Sequence, residues 1–197
     1  LKLMLTNLRC AFADQLYVPG TFPGAPEGST PAHGITLIIP PDHEAVEMLD
    51  AGYAAVAKQK WKDKASAIVA TCMKDRKKSA WQKTEYTNDE GTAYDGFADM
   101  FYLRARNEDA PLILGPDAEE ITKGKAGAPY GGCYVNAQVE LFPQDNSFGK
   151  ALRCKILGVQ FAADGDAFAS GSKADKSAFK SLAVSQDDED GDEDDFA

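Results

Sequence analysis

A chain of 197 residues, 44% apolar and 26% charged, has the length of one to two domains and enough apolar material for a core, which excludes a protein disordered throughout. No run approaches the roughly 18 consecutive apolar residues of a membrane helix, and Leu1 to Phe12 is too mixed for a signal peptide, so a soluble cytoplasmic protein is expected. The net charge of −10 is uneven: residues 187–197 hold eight acidic residues and no basic one, leaving 23 acids against 21 bases elsewhere. Residues 53–87 carry nine Lys or Arg against three acids, and a basic centre before an acidic end suits a nucleic-acid binder or a self-masking protein. A solvated, lysine-rich helix end is the plainer alternative.

Chain order predicts five strands and one early helix. LKLMLTNLRCAFA sets Met4, Thr6, Leu8, Cys10 and Phe12 against Leu5, Asn7 and Arg9, the period of two of a first strand. Tyr17 to His33 is too rich in proline and glycine to sustain a ladder and reads as a long surface loop. GITLII at 34–39 is a short apolar run stopped by Pro40 and Pro41, a central strand. From Pro41 the period changes: Ala45, Met48, Leu49, Gly52, Tyr53 and Val56 form a helical stripe, with Asp42 and Glu44 at its start and Lys58 and Lys60 at its end in accord with the helix dipole. Trp61 closes the stripe and reads as core.

Residues 62–90 are left open, since Ala65 to Thr71 fits either a helix extension or a strand and a basic loop follows. FADMFYLRAR at 97–106 alternates again, with Phe97, Asp99, Phe101, Leu103 and Ala105 opposite Met100, Tyr102, Arg104 and Arg106. After a loop over 107–125 and a glycine-rich turn at 126–132, residues 133–142 and 151–161 read as strands joined in a hairpin through PQDNSFG. Little beyond Ala162 can be buried, so the domain is expected to span 1–163, with 164–197 a disordered linker and acidic tail. The fold class that follows is mainly β: an OB-like, five-stranded, partly open barrel with an inserted helix, an irregular β-sandwich being the competitor.

Catalytic chemistry finds little support. Cys10, Cys72, Cys133 and Cys154 lie singly, without zinc-ligand spacing, and read as buried thiols; His33 and His43 are the only histidines. TKGKA at 122–126 lacks the first glycine and the hydroxyl residue of a phosphate loop, and DDEDGDE lacks the ligand spacing of a calcium loop. Asp95, Asp99, Glu119 and Glu120 contain enough carboxylates for a two-metal nuclease, but nothing in the sequence singles them out. The expectation is a non-enzymatic protein without metal or cofactor.

Holding nucleic acid irrespective of sequence needs cations along the backbone path and flat rings for the bases, each stacked base contributing about 1–3 kcal/mol. The expected path is Lys74, Arg76, Lys77, Lys78, Trp81, Tyr102, Arg104, Arg106, Lys123, Lys125 and Tyr134. Tyr102 is expected on an open face, because turning it inward would carry Arg104 and Arg106 inward unpaired. In the tail, Asp187, Asp188, Glu189, Asp190, Asp192, Glu193, Asp194 and Asp195 mimic a polyphosphate on a tether, and Phe196 offers a partner an apolar anchor. A purely solvating tail is the alternative.

The order NLRCAFADQLYVP, GITLIIPPD, FYLRARNEDAPLIL, GGCYVNAQVELFP and GKALRCKILGVQF, then DGD, spans about residues 6–166 and resembles the single-stranded-DNA-binding proteins of tailed bacteriophages. That group includes the phage T7 protein, and the similarity extends especially to a related phage family long of unknown function. The resemblance implies an OB-fold that holds single strands in phage replication, recombination and repair, inside the host cytoplasm. It also implies a tail that competes with DNA and contacts phage or host replication proteins. Those tails usually end on the aromatic, whereas here Ala197 follows Phe196. A homodimer stays open, double-stranded DNA is the alternative ligand, and an acidic DNA mimic with an incidental basic body is the third reading.

Overall fold

The computed structural model describes residues 1–21 and 27–168. β1 (Lys2–Ala11) runs through the middle of the sheet, antiparallel to β2 (His33–Ile39) on one side and to β6 (Tyr134–Asn146) on the other. β4 (Phe101–Asn107) adds to β2, and β7 (Gly149–Ala163) adds to β6, both antiparallel. These are the five expected strands, except that β4 begins at Phe101 rather than Phe97: Asp99, with a φ of 58°, turns the chain, and residues 97–100 lie outside the ladder. Two short strands extend the ends, β3 (Trp81–Gln82) beside β4 and β5 (Leu112–Leu114) parallel to β7, giving the seven-stranded order β3-β4-β2-β1-β6-β7-β5.

The sheet curls until β4 and β7 face each other across a seam. Residues 78–80 stitch it: Ala80 N donates to Leu152 O at 2.9 Å, Leu152 N to Lys78 O at 2.8 Å, and Arg104 N to Ala80 O at 3.0 Å. The result is the partly open, OB-like barrel expected, with its helical insertion between β2 and β4. Leu5, Leu8, Leu37, Ile39, Leu103, Val135, Leu141, Leu152 and Ile156 fill the interior. Each such side chain contributes about 1.5–3 kcal/mol of burial free energy.

β1 departs from simple alternation. Asn7 takes a positive φ of 52°, and pairing jumps from Leu5 opposite Ala137 to Leu8 opposite Val135. The bulge places both Leu5 and Leu8 in the core, where a strict period of two puts them on opposite faces. Asn136 Oδ1 accepts the displaced Asn7 N–H at 3.0 Å, so the extra residue costs no backbone hydrogen bond.

α1 (Asp14–Tyr17) is a single turn in the loop after β1. α2 (Ala45–Trp61) buries Ala45, Leu49, Tyr53, Val56 and Trp61 along its stripe. It lies so close to β6 that a Cβ on Gly52 would stand 2.7 Å from Leu141 Cδ1. Trp61 packs as core while Nε1 donates to Asp145 Oδ2 at 2.8 Å, bracing the β6–β7 hairpin. Of the undecided stretch 62–90, Ala65 to Thr71 resolves as helix: Lys62, with φ of 49°, breaks the first helix, a tight turn follows, and α3 (Ala65–Met73) continues before the basic turn and β3. All four cysteines are buried thiols. Among the described residues no helix is long and apolar enough to cross a membrane. The acidic tail expected at 187–197 lies outside the described residues.

Candidate nucleic-acid interface

Residues that alternate with the core form a second, outward surface on β1, β2 and β4. Ladder register aligns it in rows: Arg106 beside Gly34, then Arg104 beside Thr36 and Ala11, then Tyr102, Ile38, Arg9 and Tyr134. Three arginines from two strands therefore share one face with Tyr134. Arg9 was absent from the expected path, although the inward placement of Leu8 and Cys10 already turns it outward.

Tyr102 lies on this face but not in the open; only 1% of it is exposed. A flap from residues 83–100 covers it, with Tyr86 at 4.8 Å and Phe97 at 6.3 Å between ring centroids. The expectation failed because neighbours on one strand face stand about 7 Å apart, so a local flap can cover one and leave the next partly open. Arg104 and Arg106 are only half-buried. Burial also raises the Tyr102 hydroxyl pKa. Trp81 is likewise corrected: it is fully buried, donates from Nε1 to Asp50 Oδ1 at 2.9 Å and meets Phe101 edge-on at 5.8 Å. Neither ring can stack a base in this conformation.

Other rings occupy the surface that Tyr102 was expected to supply. Phe12 is 44% and Tyr94 42% exposed, and they meet edge-on at 5.9 Å above the Tyr86–Phe97 layer. Phe12 holds a positive φ of 57° immediately after β1, which marks where the chain leaves the sheet. At the tip of the β6–β7 hairpin Phe148 is 92% exposed; its turn context in PQDNSFG concealed a ring with nothing packed on it.

The cations converge. Arg104 Nη2 donates to the carbonyl of Arg76, and Arg153 Nη1 to the carbonyl of Lys77 at 2.9 Å, so the exposed 74–78 turn is tied to both guanidinium groups. Arg106 Nη2 donates to Gly20 O at 2.7 Å. Burial first, and then the charge of Arg104, hold the pKa values of Arg106 and Arg153 below the ordinary guanidinium value. An anion placed among them relieves that crowding. Arg104 Nε is buried without a hydrogen-bond partner among the described residues. Lys74, Arg76, Lys77 and Lys78 are exposed, as are Lys123, which pairs with Asp14 at 2.6 Å, and Lys125. Among the described residues no group of three or more His, Cys, Asp or Glu side chains is placed to hold a metal ion.

A family model described as the ssDNA-binding protein of Enterobacter phage Enc34 matches residues 1–195. The chain belongs to that family. It is 31% identical over 189 residues, 96% of this chain and 98% of the other, to protein p50 of Acyrthosiphon pisum secondary endosymbiont phage 1. Its fold is similar to that of the bacteriophage Enc34 single-stranded DNA-binding protein solved in complex with ssDNA, with a TM-score of 0.67 and 21% identity over 85% of this chain and 89% of that one. A C-terminally truncated form of the Enc34 protein superposes with a TM-score of 0.64 at 22% identity, covering 85% and 88%. The family is named for DNA binding, in keeping with the non-enzymatic reading.

Proposed function

We propose that this chain binds single-stranded DNA without regard to sequence, in phage DNA replication, recombination and repair. Arg76, Arg104, Arg106 and Arg153, with Lys74, Lys77, Lys78, Lys123 and Lys125, neutralise phosphates. Phe12, Tyr94 and Tyr134 receive bases, taking the role first expected of Trp81 and Tyr102. The observation that carries the reading is the convergence around Arg104: its guanidinium and that of Arg153 hold the carbonyls of Arg76 and Lys77 in the exposed 74–78 turn, Arg106 shares its strand face, and exposed rings stand one layer away. Cations and open rings side by side on a barrel face are what a strand of stacked bases and phosphates requires.

In the same reading the carboxylates from Asp187 to Asp195 compete with DNA for the basic face, and Phe196 docks on a replication protein. Duplex DNA is the second reading, favoured by the 74–78 cations, which suit any phosphate backbone. The test is an anisotropy titration of a short single-stranded oligonucleotide at two salt concentrations, with the full chain and a form ending at Gln186 and with unlabelled duplex as competitor. The expected result is tighter, salt-sensitive binding by the shortened form and weak competition by duplex. Binding by neither form overturns the proposal, and equal competition by duplex replaces it with the second reading.

A further inference from the structure

The stretch 164–168, expected to be unstructured, is instead laid across the Arg9 end of the outer face. Tyr130 fixes its start: the hydroxyl has two acceptors for its one proton, Asp164 Oδ1 and the Gly165 carbonyl, each at 2.9 Å, and its oxygen accepts from Gly165 N at 3.2 Å. Arg9 fixes its middle: Nη2 donates to Asp166 O at 2.6 Å, while Nε donates to Gly132 O of the barrel at 3.0 Å. Phe168 N then donates to Gly131 O at 3.1 Å. The segment runs so close that a Cβ on Gly132 would stand 2.2 Å from Asp166 O.

The Phe168 ring ends in a flat slot. On one side the Arg9 guanidinium carbon stands 4.2 Å from the ring centroid. On another is the bare backbone of Gly96, where a Cβ would meet the ring at 2.4 Å. Phe168 packs there against the small buried cluster of Ala11, Ile38, Phe97 and Tyr102. A narrow opening with a guanidinium plane at one wall and glycine at another accepts planar, π-rich groups and rejects bulky ones. Phe168 contributes a ring and its backbone, and the same register row continues into Tyr134, whose ring lies under Gly165.

We infer that this corner, Arg9 with Gly96, Phe97 and Tyr134, is a nucleobase subsite, and that Phe168 occupies it in the free chain as a stand-in for a base. The inference rests on the single-strand reading above and deepens it. Displacing 164–168 frees one Arg9 donor for a phosphate and uncovers Tyr134 alongside the slot. This exchange differs in kind from masking by the acidic tail, which starts nineteen residues further on and acts through charge. A ring-for-base exchange is nearly independent of salt.

The test uses the full chain labelled with 4-fluorophenylalanine, in which the resonance missing from the Phe168→Ala variant reports position 168. Adding a thymine oligonucleotide is expected to move that resonance to its solvent-exposed position, whereas an abasic strand of the same length leaves it in place. Phe168→Ala in the full chain is expected to tighten oligonucleotide binding about three- to tenfold with an unchanged salt slope. Oligonucleotide binding with the resonance unmoved and the affinity of Phe168→Ala unaltered overturns the subsite and leaves the single-strand reading standing. An abasic strand that displaces the ring as well as thymine does also overturns it. Failure of every form to bind overturns both.

Discussion

Two sets of aromatic residues flank β4, and they serve opposite ends. Trp81 and Tyr102 are buried, one inside the barrel and one beneath the flap, and both are held by neighbours distant in sequence. Phe12, packed against that flap, and Tyr94, part of it, are each nearly half exposed. Ring type and nearby lysines do not distinguish the sets; coverage does. In the proposed function the stacking platform is a second layer built on a buried aromatic layer, which holds the exposed rings in place and lessens the rotamer freedom lost on binding.

The largest effect that sharpens this comparison is on stability. Trp81→Ala removes a fully buried ring and leaves Asp50 Oδ1 without its indole donor, so it is expected to cost about 3–5 kcal/mol in denaturant unfolding. If the variant keeps wild-type stability, Trp81 is not core. Next is Arg104→Ala, expected to weaken single-strand binding about tenfold at 0.1 M salt and to reduce the salt slope by about 0.7, the value of one phosphate contact. Phe12→Ala and Tyr94→Ala are each expected to weaken binding about fivefold with the slope unchanged and stability within about 1 kcal/mol. Equal slopes for Arg104→Ala and Phe12→Ala would erase the division between phosphate and base contacts. The smallest effect is Lys123→Ala, whose pair with exposed Asp14 is expected to change stability by less than about 0.5 kcal/mol.

Much of the barrel is legible in the sequence because β1 and β4 largely alternate, β2 is an apolar run stopped by Pro40 and Pro41, and the turns carry proline and glycine. The stripe of α2, the core position of Trp61 and the outward turn of Arg104 and Arg106 follow from period alone. What escaped was set by distant contacts. The bulge at Asn7 is paired by Asn136, 129 positions away, and no local pattern encodes it. Tyr102 escapes because its cover comes from Tyr86, in a segment without alternation, and from Phe97, which the alternation assigns to the strand but which belongs to the flap. The docking of 164–168 leaves no periodic signature, since the backbone of this segment is held by Tyr130, Arg9 and the backbones of Gly131 and Gly132, and a single ring, Phe168, reaches an apolar cluster. β3 and β5 are two and three residues long, too short for any period to register.

Ultraviolet crosslinking of a thymine oligonucleotide to the full chain, followed by mapping of the modified peptides, tests most directly whether the outer face of β1, β2 and β4 receives the strand. Crosslinks on the peptides containing Phe12, Tyr94 and Tyr134 are predicted, lost when excess unlabelled single strand is present. Crosslinks confined to residues outside that face, such as those of β5 at Leu112–Leu114, would contradict its assignment.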